Sequence, residues 1–247
     1  MIVFPMAGLS SRFTRAGYDR PKWMLDLAGR PLLDWSLLGF RALFEREPFL
    51  IVHLDAPGVA EFVRDRVAAL GIRRAELVPL AKPTRGQAET VVLGLDAARP
   101  DEAEPLTIFN IDTIRPNYAP PAILAECDGW LECFEGEGDH WSFVRPAEGP
   151  GQRAAQVTEK VRVSSLCCTG LYYFGSVGLF RDALVREEAA PGAAELYVAP
   201  LYQHLLADGS DVRYGVVPPE EVIFSGTPAE YEAALRDTAT LRAAFGE

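Results

Sequence analysis

Residues 1–33 read MIVFPMAGLSSRFTRAGYDRPKWMLDLAGRPLL. The apolar run Ile2–Met6 reads as a buried first strand. It opens into Ala7, Gly8, Leu9, Ser10, Ser11 and Arg12, a turn of mostly small residues that ends on a cation. Pro21-Lys22 comes next, followed by a second apolar stretch and the turn Gly29-Arg30-Pro31. Small residues let backbone N–H groups approach an anion closely, and Arg12 and Lys22 place fixed positive charge beside them. Such a grip suits the phosphates of a nucleoside triphosphate.

Beyond this opening, strand-like and helix-like segments alternate. Residues 50–54 read as a second strand, and 57–70 as a helix with Pro57 near its start and Gly71 near its end. Residues 77–80 read as a third strand, 90–98 as helix, and 106–111 as a buried strand ending on Asp112. This βαβα rhythm predicts an α/β fold of Rossmann-like, three-layer α/β/α type, with helices on both faces of a mainly parallel mixed sheet. Ligands of such sheets sit at the carboxyl ends of the strands, where the opening turn and Asp112 both fall. Residues 130–134 and 156–163 read as strands of a β-rich insertion, separated by a glycine- and acid-rich mobile loop over 135–152. Residues 228–245 read as one amphipathic helix packed through Tyr231, Leu235, Leu241 and Phe245.

At 247 residues the chain is expected to form a single domain. Residues 1–112 would make a nucleotide-binding half, 113–225 an acceptor-binding half, and 226–247 a terminal helix. No apolar stretch reaches the ~18 residues of a membrane span. The opening apolar run lacks a basic flank, so a cytoplasmic protein without membrane contact is expected. The net charge of −11 argues against nucleic acid as a partner, which would call for a basic face. An acidic protein that binds a polyanion must concentrate its cations locally and recruit a metal. Cys127, Cys133, Cys167 and Cys168 lack paired C-x-x-C spacing and read as buried thiols.

The order A-G-x-S-S-R-F, then P-K, then G-R-P-L resembles the signature of the sugar-1-phosphate nucleotidyltransferases, in the flavour of their bacterial capsule and lipopolysaccharide branch. Ser10 stands where many members carry a second glycine. The resemblance implies transfer of a nucleoside monophosphate from an NTP to a sugar 1-phosphate, with pyrophosphate released and Mg²⁺ as cofactor. Arg12 and the turn amides would hold the β- and γ-phosphates, and Lys22 the α-phosphate. The segment Lys82-Pro-Thr-Arg-Gly-Gln-Ala-Glu-Thr90 is similar to the family's base-contacting stretch. Gly86 would let the backbone approach the base and Gln87 would read its edge, while Arg85 is assigned either a phosphate contact or an ordinary helix start. A carboxylate at the end of a buried strand is costly without a cation, and Mg²⁺ favours carboxylate and phosphate oxygens. The residues alone leave Asp112 equally an Asx turn; the resemblance makes it the metal ligand, with Asn110 orienting it or binding ribose. On the acceptor side, Glu159-Lys160, Gly170 in T-G-L-Y-Y-F, and Glu195 match family segments that bind sugar hydroxyls and the acceptor phosphate. A homo-oligomer is compatible with the sequence.

One position departs from the pattern. Many members carry a second metal aspartate just before G-T-P, where this chain has Phe224 in Val222-Ile-Phe-Ser-Gly-Thr-Pro228. Glu220 or Glu221 would have to substitute, or Asp112 would act with substrate oxygens alone, or activity would be lost. Two other functions therefore stay open: a cytidylyltransferase acting on a non-sugar phosphate such as phosphocholine, and a catalytically silent binding regulator. A dinucleotide-dependent oxidoreductase is set aside, because Gly8 is the only glycine of the turn.

Overall fold

The computed structural model describes residues 1–189 and 195–247. In chain order, β1 (Ile2–Met6) leads to α1 (Ser11–Arg15), and the short β2 (Asp26–Leu27) and β3 (Arg30–Pro31) precede α2 (Leu32–Leu38). β4 (Phe49–Leu54), α3 (Val59–Leu70), β5 (Ala75–Leu80) and α4 (Gln87–Ala98) continue the alternation. β6 (Leu106–Phe109) and β7 (Thr113–Ile114) flank the Asp112 turn. A β-rich stretch follows: β8 (Gly129–Glu135), β9 (Ser142–Pro146), β10 (Ala154–Glu159) and β11 (Leu166–Phe174). The chain ends with α5 (Val177–Glu188), α6 (Leu201–Ala207), β12 (Val212–Val216), β13 (Ile223–Phe224), α7 (Pro228–Arg236) and α8 (Thr238–Ala244).

The main sheet has the order β10-β9-β11-β6-β1-β4-β5, with β8 and β12 continuing from the other edge of β11. β4, β5 and β6 run parallel to β1, and the pairings through β11 give β8, β9 and β12 the same direction, so only β10 and β11 are reversed. Alternation along the strands sorts the core onto two faces. Val3, Leu50, Val52 and Ile108 pack under α4, α5 and α6. Ile2, Phe4, Met6, Phe49 and Ile51 pack under α2 and α3. Each of these fully buried side chains contributes about 1.5–3 kcal/mol of transfer free energy, which makes both faces obligatory. The result is the expected three-layer α/β arrangement. Among the described residues no helix is long and apolar enough to cross a membrane. All four cysteines are free and buried.

β11 joins the two parts of the sheet. Its carboxyl-terminal half pairs with β6, its Cys167 meets Phe143 of β9 on the same edge, and β8 lies along the other edge. The edge therefore splits between β6 and β9, and a cleft opens there.

Three expectations need correction. The loop expected over 135–152 contains β9, whose Phe143 and Val144 are fully buried. The glycines that suggested mobility, Gly136, Gly138, Gly149 and Gly151, fall in the turns on either side. The terminal helix is two helices, α7 and α8, broken at Asp237 (φ −122°, ψ 50°), whose side chain caps α8 by accepting from the Thr240 amide. Tyr231, Leu241 and Phe245 pack as expected, but Leu235 is 40% exposed, and Ala234 is the residue of that turn of α7 that is buried. The strand before Asp112 stops at Phe109, leaving Asn110, Ile111 and Asp112 in a turn.

Candidate active site

A cleft of about 680 Å³ lies at the carboxyl ends of β1 and β6. Ala7, Gly8, Leu9, Ser10, Arg12 and Lys22 line one wall, and Arg85, Gly86, Gln87, Asn110 and Asp112 line the floor. Glu159, Lys160, Gly170 and Glu195 line the far side. Of the residues given a catalytic, nucleotide-binding or acceptor-binding role from sequence, only Ser11 is absent from the lining; it lies exposed in the first turn of α1.

The turn after β1 has unusual backbone geometry. Ser10 adopts a left-handed conformation (φ 50°, ψ 32°) as the N-cap of α1. Its carbonyl accepts the Phe13 amide, and its Oγ accepts the Lys22 amide at 3.3 Å. The space beside Gly8 is open, so backbone there can meet a ligand. Arg12 is exposed on α1.

Lys22 Nζ donates to Asp112 Oδ2 as an ion pair, with the two side chains 20% and 23% exposed. Burial alone would push the Asp112 carboxyl up, but the ammonium of Lys22, aided by more distant Arg12, holds it below its ordinary value. The Asp112 carbonyl accepts both the amide and the hydroxyl of fully buried Ser225 at 2.9 Å, which fixes the turn.

Two glycines are required by close approach. A Cβ on Gly86 would overlap the backbone of Leu196, and one on Gly170 (φ +95°) would overlap the side chain of Asn110. Gln87 Nε2 donates to Asn110 Oδ1, joining the start of α4 to the β6 turn. Arg85 pairs with Glu89 at 2.7 Å and Glu188 at 2.5 Å and is 53% exposed, so its charge is already satisfied by carboxylates.

On the far side, Lys160 (φ 55°) donates to Tyr197 OH and lies 3.6 Å from Glu159, and Tyr197 OH donates in turn to Glu195. Burial would lower the Lys160 ammonium, yet the Tyr197 hydroxyl and the charges of Glu159 and Glu195 push it up. Burial pushes the Glu159 carboxyl up, against the opposing pull of Ser142 and Lys160. The Glu195–Tyr197–Lys160–Glu159–Ser142 chain can take a phosphate at its cationic centre and donors or hydroxyls at its ends.

Sequence reading missed Glu230, Tyr172, Tyr197 and Thr169 on the cleft wall, and it left Trp141 open between core, acceptor stacking and subunit contact. Glu230 was accessible in principle: Thr227-Pro-Ala-Glu230 is a capping box, and both of its reciprocal bonds form at the start of α7. The box carries Glu230 to the Asp112 turn. A Cβ on Gly226 would lie 2.8 Å from Asp112 Oδ2 and 3.5 Å from Glu230 Oε2, so glycine lets both carboxylates pack close to the backbone there and brings them near each other. Glu220 and Glu221, named as substitutes for the missing aspartate, do not line the cleft, and Glu221 pairs with Arg115 at 3.0 Å. Among the described residues no group of three or more His, Cys, Asp and Glu converges. Asp112 and Glu230, both on the cleft lining, are the oxygen donors present for a hard divalent ion, which takes one or two carboxylates and completes its shell with phosphate oxygens and water.

No protein-family model matches the chain. It is 30% identical over 168 residues to the 2-C-methyl-D-erythritol 4-phosphate cytidylyltransferase of Cereibacter sphaeroides, spanning 64% of this chain and 71% of that protein. Among solved structures it is similar to the nucleoside-diphosphate-sugar pyrophosphorylase of Vibrio cholerae RC9, at 43% identity and a TM-score of 0.92, over 96% of this chain and all of that one. It also shares its fold with the inositol-1-phosphate CTP transferase of T. maritima, at 16% identity and a TM-score of 0.72, over 99% and 96% of the two chains.

Proposed function

As the chain belongs to the nucleotidyltransferase family that includes nucleoside-diphosphate-sugar pyrophosphorylases, we propose that it transfers a nucleoside monophosphate from an NTP to a sugar 1-phosphate, releasing pyrophosphate. The observation that carries this is the convergence of Arg12, Lys22 and Lys160 on one cleft around Asp112, in a protein of net charge −11. The nucleotide-sugar formed would serve surface polysaccharide synthesis in the cytoplasm, as the opening signature suggests.

The acceptor phosphate needs no side-chain nucleophile, because a phosphate monoester dianion already is one. The barrier lies in bringing two anions together and holding their spread charge, so positioning and cations dominate. The Gly8–Ser10 amides and Arg12 hold the β- and γ-phosphates. Gly86, Gln87 and Asn110 form the floor for base and ribose. Lys160, held by Tyr197, directs the acceptor oxygen toward the α-phosphorus. Lys22 leaves its pairing with Asp112 to follow the developing charge on the α-phosphoryl oxygens. A magnesium ion on Asp112, with Glu230 beside it, would supply Lewis-acid neutralisation of the same oxygens.

A second reading is favoured by the Cereibacter relative, whose acceptor is an open-chain polyol phosphate. Pyrophosphate release measured across the common NTPs and a panel of sugar 1-phosphates and polyol phosphates decides between them. Turnover with a sugar 1-phosphate is expected; turnover only with polyol or choline phosphates favours the cytidylyltransferase reading, and nucleotide binding without release under every combination sinks both.

A further inference from the structure

The cleft has one wall that phosphate chemistry does not explain. Phe224 and Trp141 both line it, with ring centroids 4.7 Å apart and an interplanar angle of 52°. Behind them Phe134 meets each ring, at 5.1 Å and 5.2 Å, and Phe134 and Phe143 are themselves buried. The Trp141 indole is pinned by its Nε1–H, which donates to the Glu137 carbonyl at 3.0 Å. Its polar end is therefore spent within the protein and the His140 ring packs on it at 4.4 Å, so what remains for the cleft is the ring surface that His140, Phe134 and Phe224 leave uncovered.

This shelf spans the two chemical ends of the site. Phe224 sits opposite Thr113 in the β13–β7 pair, one residue from Asp112, and the next residue, Ser225, holds the Asp112 carbonyl. At the other end, the Trp141 carbonyl accepts the Lys160 amide at 2.9 Å. A molecule whose phosphate lies between Asp112 and Lys160 must rest its remaining bulk beside these rings. Partly exposed aromatic surface in a polar cleft is costly unless an apolar face covers it. Glu159 and Glu195, which line the same side of the cleft, accept hydrogen bonds and reject anions.

The geometry points to Trp141 and Phe224 as a stacking platform for the acceptor, selecting a ring-shaped phosphate ester with one C–H face and hydroxyls on its other side. In place of the family's second metal carboxylate, Phe224 contributes acceptor selectivity. This inference rests on the nucleotidyl-transfer reading above, and its test separates the two.

Steady-state kinetics compare wild type with Trp141→Leu, Trp141→Phe and Phe224→Leu, each checked for an unchanged melting temperature. Each leucine variant is expected to raise KM for the sugar 1-phosphate roughly three- to tenfold, the size of one lost aromatic contact, while KM for the NTP stays within about twofold. Trp141→Phe should stay close to wild type. Unchanged acceptor KM in a folded Trp141→Leu variant, or an equal rise in NTP KM, overturns the platform while leaving the reaction intact. Should either variant misfold, saturation-transfer NMR on the wild-type enzyme decides: irradiating aromatic resonances should transfer to the sugar ring protons of bound sugar 1-phosphate, and no transfer overturns the proposal. If wild type itself releases no pyrophosphate with any acceptor, the functional reading fails first.

Discussion

Ser10 shows how a single backbone angle can explain a departure from a family pattern. A non-glycine residue held at φ +50° costs about 1 kcal/mol, which accounts for glycine being common there in the family. Its Oγ recovers part of that cost by accepting the Lys22 amide, a bond with a net value of about 1 kcal/mol. Ser10→Gly should therefore change unfolding free energy by well under 1 kcal/mol, whereas Ser10→Val, branched at Cβ and lacking the acceptor, should lose about 2 kcal/mol or more in urea melts. Equal losses for the two would show that strain is not the governing factor. Lys22 and Asp112 form an ion pair in the cleft and are tested together. Removing either side chain should cost on the order of 10²- to 10³-fold in kcat, the range seen for single transition-state groups, and near-normal turnover in a folded Asp112→Ala protein would reject the metal assignment. The Asp112 carboxyl lies below its ordinary value in the fold, so its stabilising contribution is complete above the ordinary carboxylate range and is lost as pH falls through the lowered value. The stability gap between wild type and Asp112→Asn should accordingly shrink between pH 7 and about pH 3; a gap that widens toward acid contradicts the ion pair. These positions stood out in the sequence because cations beside small residues follow the first strand, but only the resemblance of the whole opening motif gave Lys22 and Asp112 their roles. Glu230 was not, because its position depends on where α7 starts, and α7 starts where Ser225 docks on the Asp112 carbonyl.

The capping box offers a test of that dependence. Thr227 Oγ1 accepts the Glu230 amide at 3.3 Å, and Glu230 Oε2 accepts the Thr227 amide at 2.8 Å. Thr227→Ala should cost about 1 kcal/mol of stability and loosen the turn that sets Glu230 near Asp112, although the residue 227 amide can still donate to the Glu230 carboxylate. Its magnesium dependence should therefore weaken beyond what the stability loss explains, measured as the Mg²⁺ concentration for half-maximal turnover. A variant that is destabilised with an unaltered magnesium curve would remove Glu230 from the metal's surroundings. The elements themselves were unequally legible. β1, β4, α3 and α4 carry runs or periodicities that local chemistry dictates, and Gly71 ends α3 in the left-handed conformation expected of a C-cap. β9 was hidden because five residues between glycine-rich turns become a strand only by pairing with β10 and meeting β11 at Cys167. The break at Asp237 was hidden for the opposite reason: an apolar period runs through it, and only the side-chain cap to Thr240 shows that the helix restarts.

The cleft lies where β11 hands its edge from β6 to β9, so its two walls belong to different halves of one continuous sheet. The turn after β1 and the Lys160 side are thus separated by β11, and a ligand that bridges them ties the halves together. The acidic net charge of −11 makes the local cations the main source of affinity for a triphosphate. A nucleotide with magnesium that binds only the folded chain stabilises it by about 2.7 kcal/mol at 100 times its dissociation constant. For a chain of this length that corresponds to roughly 5–10 °C in melting temperature. The rise should be largest with NTP, Mg²⁺ and a sugar 1-phosphate analogue together, because only then are both walls engaged. It should shrink steeply as salt is raised, since exposed Arg12 and half-exposed Lys160 are screened within a Debye length of ~10 Å at 0.1 M ionic strength. Asp112→Asn should abolish the magnesium-dependent part of the shift and leave the magnesium-independent part, which comes from Arg12 and the turn amides. A thermal shift that ignores magnesium in the wild type, or that survives unchanged at high salt, would place the triphosphate outside this cleft.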